Sequence, residues 1–459
     1  MRVSKACNAQ LRKSYRLLAI AGAATFLAAC GSDDVFTGEP PLLTNAQCSV
    51  TGQNQQLLNF MNDRYLWKDD MNSNINPASQ SSIYAMLNAL RAPQDNFSFI
   101  ITEQEYQDRF VDAVFFGFGF GRNDRQDLGL IEIRYVYDGS PAAEAGLRRG
   151  DVITEVDGVP MSTWFSRINA GTATWATVFG PNEEGVERTI TARKPDGFVF
   201  TETMRKTAVE TNTVMATERF TINDKEVGYF VFDSFINRSE SDLNTAYDQL
   251  EGVDELIIDL RYNSGGLVRV ANQLASQAAW NNVENEIFLT YQYNENFQDQ
   301  NFYFDLGPGV AQLNLDRVYV LTTNSSCSSS ELVINSLTPF VEVVTVGDTT
   351  CGKPVGQQPG QICDKIVFAI TFQTVNAEGF GDYFDGLPAT CQVADAIVGD
   401  WGDMNDPLLA EAAYHLSNGA CSAELAATDG AMSSAAEVEK AVRAKITEHP
   451  QVTKWRTEH

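Results

Sequence analysis

Apolar and polar positions in residues 207–425 repeat in two alternating patterns. Short runs rich in β-branched apolar residues predict strands, and helical spacing after several of these runs predicts helices. The predicted strands cover 226–232, 255–261, 317–323, 341–346 and 367–375, and the predicted helices cover 241–250, 267–280 and 330–337. Repeated strand–helix units of this kind predict an α/β core around a buried, largely parallel sheet.

Two further segments precede this core, and a tail follows it. Residues 48–110 are mostly helical in pattern, because Leu57, Met61 and Tyr65 recur at helical spacing. Residues 111–206 instead begin with a Phe/Gly-rich stretch and contain an alternating strand pattern at 131–137. A strand over 198–206 is expected to close that segment. The last residues, 426–459, form a charged tail with a helix predicted over 435–448.

The N-terminus has the pattern of an export signal. Residues 1–29 contain five basic residues and no acidic one, and the apolar run from Leu17 to Ala29 is too short to span a bilayer. Leu27-Ala-Ala-Cys30-Gly31 resembles a bacterial lipobox. This resemblance implies cleavage before Cys30, lipidation of its thiol and a tether over 30–47, whereas the alternative is an ordinary signal peptide. We therefore expect the mature chain in the bacterial cell envelope, on the periplasmic side of the outer membrane.

Charge and cysteine content argue against a nucleic-acid-binding protein and for a protein with disulfides. Removal of the signal changes the net charge from −27 to −32, and such a surface repels nucleic acid. Six cysteines besides Cys30 in an exported chain predict disulfides. Nearness in the chain suggests pairing Cys351 with Cys363 and Cys391 with Cys421. We expect no zinc site, since there is no CxxC motif and no histidine at ligand spacing from the cysteine pairs.

Histidine is scarce, and this directs attention to a serine and a lysine. The three histidines, His415, His449 and His459, all lie near the C-terminus. Ser328 lies where an apolar strand runs into a helix, and Lys353 follows the next strand. A lysine can replace histidine as the base of a serine nucleophile, provided that burial lowers its pKa. The alternatives are that Ser328 only caps the helix with Glu331 and that Lys353 is an ordinary solvated loop residue.

A third feature is the stretch Asp259-Leu-Arg-Tyr-Asn-Ser-Gly-Gly266, in which a strand delivers a charged pair and then two glycines. A backbone N–H of Gly265 or Gly266 could approach a substrate carbonyl, and Ser329 N–H at the helix start could supply a second oxyanion donor. The alternative is a strand-to-helix turn with a salt bridge.

These features resemble the C-terminal processing (tail-specific) serine peptidases. The stretch 259–266 is similar to the signature of that family, and Ser328-Ser-Ser-Glu331 falls where the family has its nucleophile. Lys353 follows 25 residues later, at the usual spacing of the family, and Gln357 matches a glutamine that orients the lysine. The resemblance implies an α/β core of the ClpP/crotonase type, with an inserted PDZ domain and an N-terminal helical segment.

The chain departs from the family pattern beside its predicted catalytic residues. Cys327 stands where a small residue such as alanine is common, and Ser329 replaces the usual alanine. Pro354 follows the lysine, where a small residue is common. These changes leave the predicted Ser–Lys pair intact and indicate a divergent member.

The stretch Ser140-Pro-Ala-Ala-Glu-Ala-Gly-Leu-Arg-Arg-Gly-Asp-Val-Ile153 resembles a PDZ domain of the bacterial protease type. The preceding residues, Gly117, Phe118, Gly119 and Phe120, have the form of the loop that binds a C-terminal carboxylate, and apolar C-terminal residues would suit it. The alternative is an edge strand that only packs on the core.

Together these features predict an exported, lipid-anchored serine endopeptidase that binds protein tails with exposed C-termini. No metal, nucleotide or other cofactor is implied. Two alternatives stay open: a non-catalytic PDZ scaffold on a peptidase fold, and an acyl or ester hydrolase on the same core.

Overall fold

The computed structural model describes residues 46–107, 114–422 and 452–455. The predicted signal peptide, Cys30, most of the tether and the helix predicted over 435–448 lie outside the described residues. None of the described helices has both the length and the apolar character needed to cross a bilayer.

The N-terminal segment is helical and packs on the core. Its elements are α1 (Val50–Arg64), a short 3₁₀ helix (Pro77–Ser79), α2 (Ile83–Leu90), β1 (Phe99–Thr102) and α3 (Glu103–Tyr106). The side chains of Ser49 and Ser82 accept from Gly52 N and Ala85 N, which caps α1 and α2. The predicted helical stripe of α1 is buried in a cluster that it shares with residues 355–370 of the core.

The PDZ-like segment is an antiparallel sheet with small helices. Its elements are β2 (Val114–Gly117), β3 (Phe120–Arg125), β4 (Leu130–Val136), α4 (Pro141–Glu144), β5 (Val152–Val156), β6 (Val159–Pro160), α5 (Met161–Asn169), α6 (Trp175–Phe179), β7 (Glu187–Arg193), β8 (Val199–Arg205) and β9 (Thr207–Glu210). The strand order is β3-β4-β5-β7-β8, so β3 is an edge strand. Strands β2 and β9 pair antiparallel where the chain enters and leaves the segment.

The core alternates strands and helices as the sequence predicts. Its elements are β10 (Val214–Ile222), β11 (Lys225–Phe232), α7 (Ser239–Gln249), β12 (Glu255–Asp259), α8 (Val268–Val283), β13 (Ile287–Gln292), β14 (Gln300–Tyr303), β15 (Arg317–Thr322), α9 (Ser329–Leu337), β16 (Glu342–Gly347), β17 (Val355–Gln357), β18 (Gly360–Ile362), β19 (Lys365–Phe368), β20 (Ile370–Val375), β21 (Cys391–Gln392), α10 (Pro407–Asn418) and β22 (Val452–Trp455).

The central sheet has the order β21-β16-β15-β12-β11-β10-β22. Strands β11, β12, β15, β16 and β21 are parallel, and β10 and β22 are antiparallel. Helices cover both faces, because Ile258 packs with α7, α8 and α9 whereas Ile257 packs with α10. This arrangement confirms the predicted α/β core with a largely parallel sheet.

One predicted strand, 367–375, is in fact two strands in different sheets. The chain breaks at Ala369, so β19 joins β1 and β18 whereas β20 joins β13 and β17. The N-terminal segment supplies hydrogen bonds at this break: Ile370 N donates to Ser98 Oγ, and Leu66 N donates to Ile370 O. Contacts from residues 272 and 304 positions earlier in the chain therefore divide an apolar run that looks continuous in the sequence.

Three disulfides join the described residues: Cys48–Cys363, Cys327–Cys351 and Cys391–Cys421. The predicted Cys391–Cys421 pair is confirmed, and the predicted Cys351–Cys363 pair is wrong. Cys363 lies in the turn after β18, which faces the N-terminal segment, whereas the backbone N–H of Cys351 donates to Ser326 O beside Cys327. Short separation along the chain did not identify the spatial partner.

The PDZ-like segment contacts the core through buried polar groups. Tyr137, just after β4, donates its hydroxyl to Asp233 Oδ2 at 2.6 Å. Arg149 lies 3.4 Å from the Asp406 carboxylate and stacks 3.9 Å from the Trp401 ring. Burial raises the pKa of Asp233 to about 6, against the opposing effect of hydrogen bonds from Tyr137 and its neighbour Tyr135.

This raised pKa predicts a pH dependence of stability. The folded state holds the Asp233 proton more tightly than the unfolded state, so its stabilising effect is complete below the unfolded pKa and is lost as pH rises through about 6. As the pH rises from 4 to 7.5, wild type should lose about 2 kcal/mol of its free energy of unfolding relative to Asp233→Asn. This loss is smaller than the free energy that corresponds to two pKa units, because Asp233 is partly exposed.

Urea unfolding at several pH values measures this difference. Asp382→Asn, at an exposed aspartate, is the matched control and should track wild type. Parallel pH dependences for Asp233→Asn and wild type would contradict the expected burial.

Candidate active site

The parallel pairing of β12 with β15 brings two loops together. Asp259 and Leu321 are register partners near the ends of these strands. The carboxyl ends of parallel neighbours lie at the same edge of the sheet, so the glycine loop after β12 faces the serine-rich loop before α9. The site is built from these two loops and from the lysine loop after β16.

Ser328 has an unusual backbone at the start of α9. Its φ is +56° and its ψ is −112°, a region that non-glycine residues rarely occupy. Such a conformation costs on the order of 1–3 kcal/mol and persists only where the surroundings enforce it. Active-site residues are frequent among outliers of this kind, and a plain helix cap would not require one.

Three serine hydroxyls around Ser328 fasten its loop to the glycine loop. The hydroxyls of Ser326, Ser329 and Ser330 donate to the carbonyl oxygens of Leu260, Gly266 and Asn263 at 2.8, 2.8 and 2.9 Å. The serine-rich composition of 325–330 therefore has a structural cause. The Ser329 side chain has a role that the sequence analysis missed, since only its N–H was considered there.

The two glycines permit a very close approach. A Cβ on Gly265 would lie 2.7 Å from Cys327 O and 2.8 Å from Ser328 Cβ, and its φ is +96°. A Cβ on Gly266 would lie 2.1 Å from Phe235 O. The N–H of Gly265 donates to Asn263 Oδ1 at 2.8 Å, so Gly266 is the glycine better suited to donate to a bound oxyanion.

Lys353 is partly buried and is held by Gln357. Its Nζ donates to Gln357 Oε1 at 3.2 Å, and Gln357 Nε2 donates to Phe97 O at 3.1 Å. The ammonium also lies 5.6 Å from the centre of the Phe97 ring. The N-terminal segment thus contributes to the lysine site. Nothing in the sequence pattern around Phe97 indicated this contact.

Glu331 joins the serine and lysine loops through one buried carboxylate. Its Oε2 accepts from Ser328 N at 2.8 Å and from Lys353 N at 2.9 Å. These two nitrogens are consequently no more than 5.7 Å apart, the sum of both bond lengths. Its Oε1 accepts from Thr350 Oγ1 at 2.6 Å and from Gly352 N at 2.8 Å.

The environment of this carboxylate is unusual. Burial raises the pKa of Glu331, and the hydrogen bonds from Thr350, Lys353, Gly352 and Ser328 oppose that rise. The side chain is completely buried, and its four hydrogen-bond donors within the described part of the chain are three backbone N–H groups and the Thr350 hydroxyl. Hydrogen bonds, most of them from backbone N–H groups, therefore stabilise the negative charge of this carboxylate in place of a counter-ion.

The disulfide Cys327–Cys351 crosses between the same two loops. Its cysteines immediately precede Ser328 and stand two residues before Lys353, and their Cα atoms are 5.2 Å apart. Cys327 N also donates to Asn263 O at 3.1 Å. Ser328, Ser329, Lys353, Gln357, Gly265 and Gly266, all predicted as site residues, therefore belong to one connected cluster of loops.

Asp259 and Arg261 belong to a buried ion-pair network that stabilises the fold. Arg261 is buried and contacts the carboxylates of Asp259, Asp395 and Asp406 at 2.7 to 2.9 Å. Tyr229 donates its hydroxyl to Asp259 Oδ2 at 2.9 Å. The salt-bridge alternative of the sequence analysis is thus correct for this pair, although the glycines that follow it still reach Ser328.

The predicted carboxylate loop, residues 117–120, lies in the PDZ-like segment and precedes the edge strand β3. The carbonyl of Phe118 accepts from Ala142 N, and that of Gly119 accepts from Tyr137 N, both at 2.9 Å. Among the described residues, the N–H groups of Phe118 and Gly119 have no intramolecular acceptor. A Cβ on Gly119 would lie 2.2 Å from Ser140 Cβ, so glycine is required there.

Helix α6 packs beside β3, next to this loop. Phe120 lies 5.9 Å from the Phe179 ring, and the Arg122 guanidinium stacks 3.6 Å from the Trp175 ring. An open strand edge next to a helix is the geometry in which an extended peptide adds as a further strand.

Two clusters of metal-ligand type occur among the described residues, around Cys391, His415 and Cys421 and around Cys327, Glu331 and Cys351. In each cluster both cysteines are joined in a disulfide, so neither sulfur can act as a thiolate ligand. The fold also places His415 close to the Cys391–Cys421 pair, a proximity that the sequence spacing did not suggest.

Comparison with known proteins agrees with this geometry. The family model for peptidase family S41 matches residues 226–387, that for the S41 N-terminal domain matches 52–99, and that for a PDZ domain matches 132–166. Residues 226–387, within the core of this chain, belong to peptidase family S41.

Relatives of this S41 chain are distant. It is 25% identical over 306 residues to a carboxyl-terminal-processing peptidase of Arabidopsis thaliana, and the aligned region covers 64% of this chain and 56% of the plant protein. It is 26% identical over 262 residues to a carboxyl-terminal-processing protease of Picosynechococcus, covering 56% and 58% of the two chains. The S41 chain thus spans less than two thirds of the length of these curated relatives.

A solved structure extends the similarity. A Bacteroides fragilis protein assigned to the S41 proteases superposes with a TM-score of 0.62 and 26% identity, covering 79% of this chain and 97% of that one. The similarity includes the α/β core and supports the predicted fold class.

The Glu331 contacts predict a large effect of a nearly isosteric change. Glu331→Gln replaces one acceptor oxygen by an NH₂ group. In one orientation of the amide this group faces Ser328 N and Lys353 N, and in the other it faces Gly352 N and the Thr350 hydroxyl, which can rotate to accept from it. At least one buried backbone N–H loses its acceptor in either orientation, which should lower the free energy of unfolding by about 2 kcal/mol.

Chemical denaturation measures this loss. Glu342→Gln is the matched control, because its side chain is 59% exposed and lies 3.6 Å from Arg317, and it should change stability by less than about 0.5 kcal/mol. Equal stabilities of the two variants would refute the assigned role of Glu331.

Proposed function

We propose that this S41 chain is a serine endopeptidase in which Ser328 is the nucleophile and Lys353 the general base. The observation that carries the proposal is that Ser328 N and Lys353 N bond to the same oxygen of Glu331. A serine with a strained backbone at a helix start and a lysine on the adjacent loop are thereby fixed close together. The names of the distant relatives point to the same class of reaction.

The chemistry follows the Ser–Lys variant of acyl transfer. Lys353, in its neutral form, accepts the proton of the Ser328 hydroxyl while Oγ attacks the scissile carbonyl carbon. The protonated lysine then passes that proton to the leaving amine, and an ester with Ser328 remains. Lys353 next accepts a proton from water, which attacks the ester carbonyl. The lysine then returns this proton to Ser328 Oγ as the ester bond breaks, which releases the second product as a carboxylic acid and restores the enzyme. Gln357 orients the amine throughout, through its bond to Nζ.

The oxyanion of each tetrahedral intermediate needs N–H donors. We assign Ser329 N–H, in the first turn of α9, and Gly266 N–H. Gly265 contributes by its lack of a side chain, because a Cβ there would collide with Ser328.

The substrates we propose are proteins with an exposed, unstructured C-terminus. The support is the loop at 117–120, whose unpaired N–H groups suit a carboxylate, and the open edge of β3 beside it. The tail would add as a strand along the edge of β3 beside Phe120, and this aromatic side chain favours apolar terminal residues.

We also propose that the mature chain is attached to the cell envelope through a lipidated Cys30. The support is the sequence Leu27-Ala-Ala-Cys30-Gly31 together with the three disulfides, which persist in oxidising compartments outside the cytoplasm. A tethered chain of this kind would act on proteins of the periplasmic space.

Removing the nucleophile is the first test. Ser328→Ala and Lys353→Ala should each lower kcat for an unstructured protein at least about 1,000-fold, since each removes a reacting group. Ser325→Ala changes a serine of the same loop and should retain wild-type activity within about twofold.

The same assay separates the alternatives. Cleavage that survives Ser328→Ala would refute Ser328 as the nucleophile, and a wild type that cleaves no protein would leave the non-catalytic scaffold. Turnover of a small ester that exceeds turnover of tailed peptides would instead favour an acyl hydrolase.

The terminal carboxylate is the second test. Amidating the C-terminus of a peptide substrate removes the charge that the 117–120 loop is proposed to bind, so kcat/KM should fall about 10- to 100-fold, the equivalent of one or two charge-assisted hydrogen bonds.

A glycine pair provides matched variants for this assay. Gly119→Ala should abolish the difference between acid and amide peptides, because its Cβ collides with Ser140. Gly139→Ala introduces a Cβ with no atom within 4 Å and should preserve the difference. Equal cleavage of both peptides by wild type would contradict carboxylate binding.

A further inference from the structure

The disulfide Cys327–Cys351 differs from the other two in its position. Cys48–Cys363 fastens the N-terminal segment to the turn after β18, and Cys391–Cys421 fastens β21 to the chain after α10. Cys327–Cys351 alone, among the three, joins the loop of the nucleophile to the loop of the lysine. Both of its cysteines are partly exposed, so a reductant in solution can reach them.

The lysine loop is held by hydrogen bonds and by one disulfide. Residues 348–354, between β16 and β17, have no regular secondary structure. They are held by the Glu331 carboxylate, by hydrogen bonds to residues 322, 326, 374 and 387, and by the disulfide. The disulfide is the one covalent restraint among them.

Reduction would also act on the Glu331 carboxylate. The Sγ of Cys351 lies 3.5 Å from Glu331 Oε2, the oxygen that accepts from both Ser328 N and Lys353 N. A disulfide sulfur has no hydrogen to donate, whereas a thiol does. A Cys351 thiol would therefore compete with the two backbone N–H groups for this oxygen while the two sulfurs move apart.

We propose that Cys327–Cys351 is a redox modification site that controls this active site: the enzyme is active with the disulfide formed and slow when a dithiol has reduced it. This inference rests on the proposed peptidase function.

The redox step is ordinary thiol–disulfide exchange with a dithiol, either a small molecule or a protein with a reactive cysteine pair. A thiolate of the dithiol attacks one sulfur and displaces the other as a thiolate, which takes up a proton. The second thiol of the reductant then attacks the mixed disulfide. The two cysteines gain two electrons and two protons, and the dithiol becomes a disulfide.

Activity and thiol labelling, measured together on the full chain, test the proposal. Wild type is treated with increasing dithiothreitol, its free thiols are alkylated and located by mass spectrometry, and cleavage of an unstructured protein is followed. We expect kcat to fall at least 10-fold in parallel with alkylation of Cys327 and Cys351, with KM changed less than about twofold, and to recover on reoxidation.

Two double variants assign the effect. Cys391→Ala/Cys421→Ala should respond to dithiothreitol like wild type. Cys327→Ala/Cys351→Ala should have a kcat at least 10-fold below wild type and no response to the reductant. Full activity with Cys327 and Cys351 alkylated, or a response that follows a different cysteine pair, would overturn the proposal.

Hydrogen exchange of residues 348–354 provides a readout that needs no turnover. Exchange should rise on reduction and in Cys327→Ala/Cys351→Ala, while the thermal midpoint shows that the variant is folded. An oxidised wild type that cleaves nothing would refute the peptidase function, but exchange would still decide the role of the disulfide. Unchanged exchange in that loop would refute that role.

Discussion

The arrangement of this site depends on one buried carboxylate. Glu331 lies in the first turn of α9, where a sequence reading gives it a capping role, yet it accepts from both loops that carry the proposed catalytic residues. Four neutral groups of the described residues, three backbone N–H groups and the Thr350 hydroxyl, donate hydrogen bonds to it. The carboxylate therefore restrains Ser328 and Lys353 only while all four donors stay in place, which links catalysis to the packing of the lysine loop.

Strand pairing, hydrogen bonds between loops and contacts from the N-terminal segment all support this interaction. Parallel pairing of β12 and β15 brings the glycine and serine loops to one edge of the sheet. Serine hydroxyls and the Asn263 backbone then fasten these loops together. The N-terminal segment reaches the lysine through Phe97 and Gln357. The PDZ-like segment contacts the core through Tyr137 and Arg149, some distance along the chain from the site.

The sequence was sufficient for those features that follow from local pattern or spacing. The buried strand at 255–259 contains the apolar run Leu256 to Ile258, and Ser328 with Lys353 stood out because histidine was scarce. Features that depend on distant contacts were not accessible. The break at Ala369 is made by the N-terminal segment, and the lysine contact with Phe97 bridges 256 residues.

Cysteine pairing shows the same limit. Nearness along the chain suggested Cys363 for Cys351, but Cys363 lies in the turn of the β18–β19 hairpin, in a different sheet from β17, and the parallel sheet brings Cys327 next to Cys351 instead. The sequence showed that Cys327 replaces a residue that is usually small in the family. Only the fold showed that Cys351 is its disulfide partner and that this disulfide joins the loops of Ser328 and Lys353.

The most direct measurement of the central claim is the rate at which a fluorophosphonate forms an adduct on Ser328, located by mass spectrometry. This reaction needs an activated serine but no peptide, PDZ binding or turnover. The account predicts labelling of wild type and Glu342→Gln at similar rates, and labelling of Glu331→Gln at least about 100-fold more slowly. Equal labelling of folded Glu331→Gln and wild type would contradict the account, because Ser328 would then be activated without the shared carboxylate.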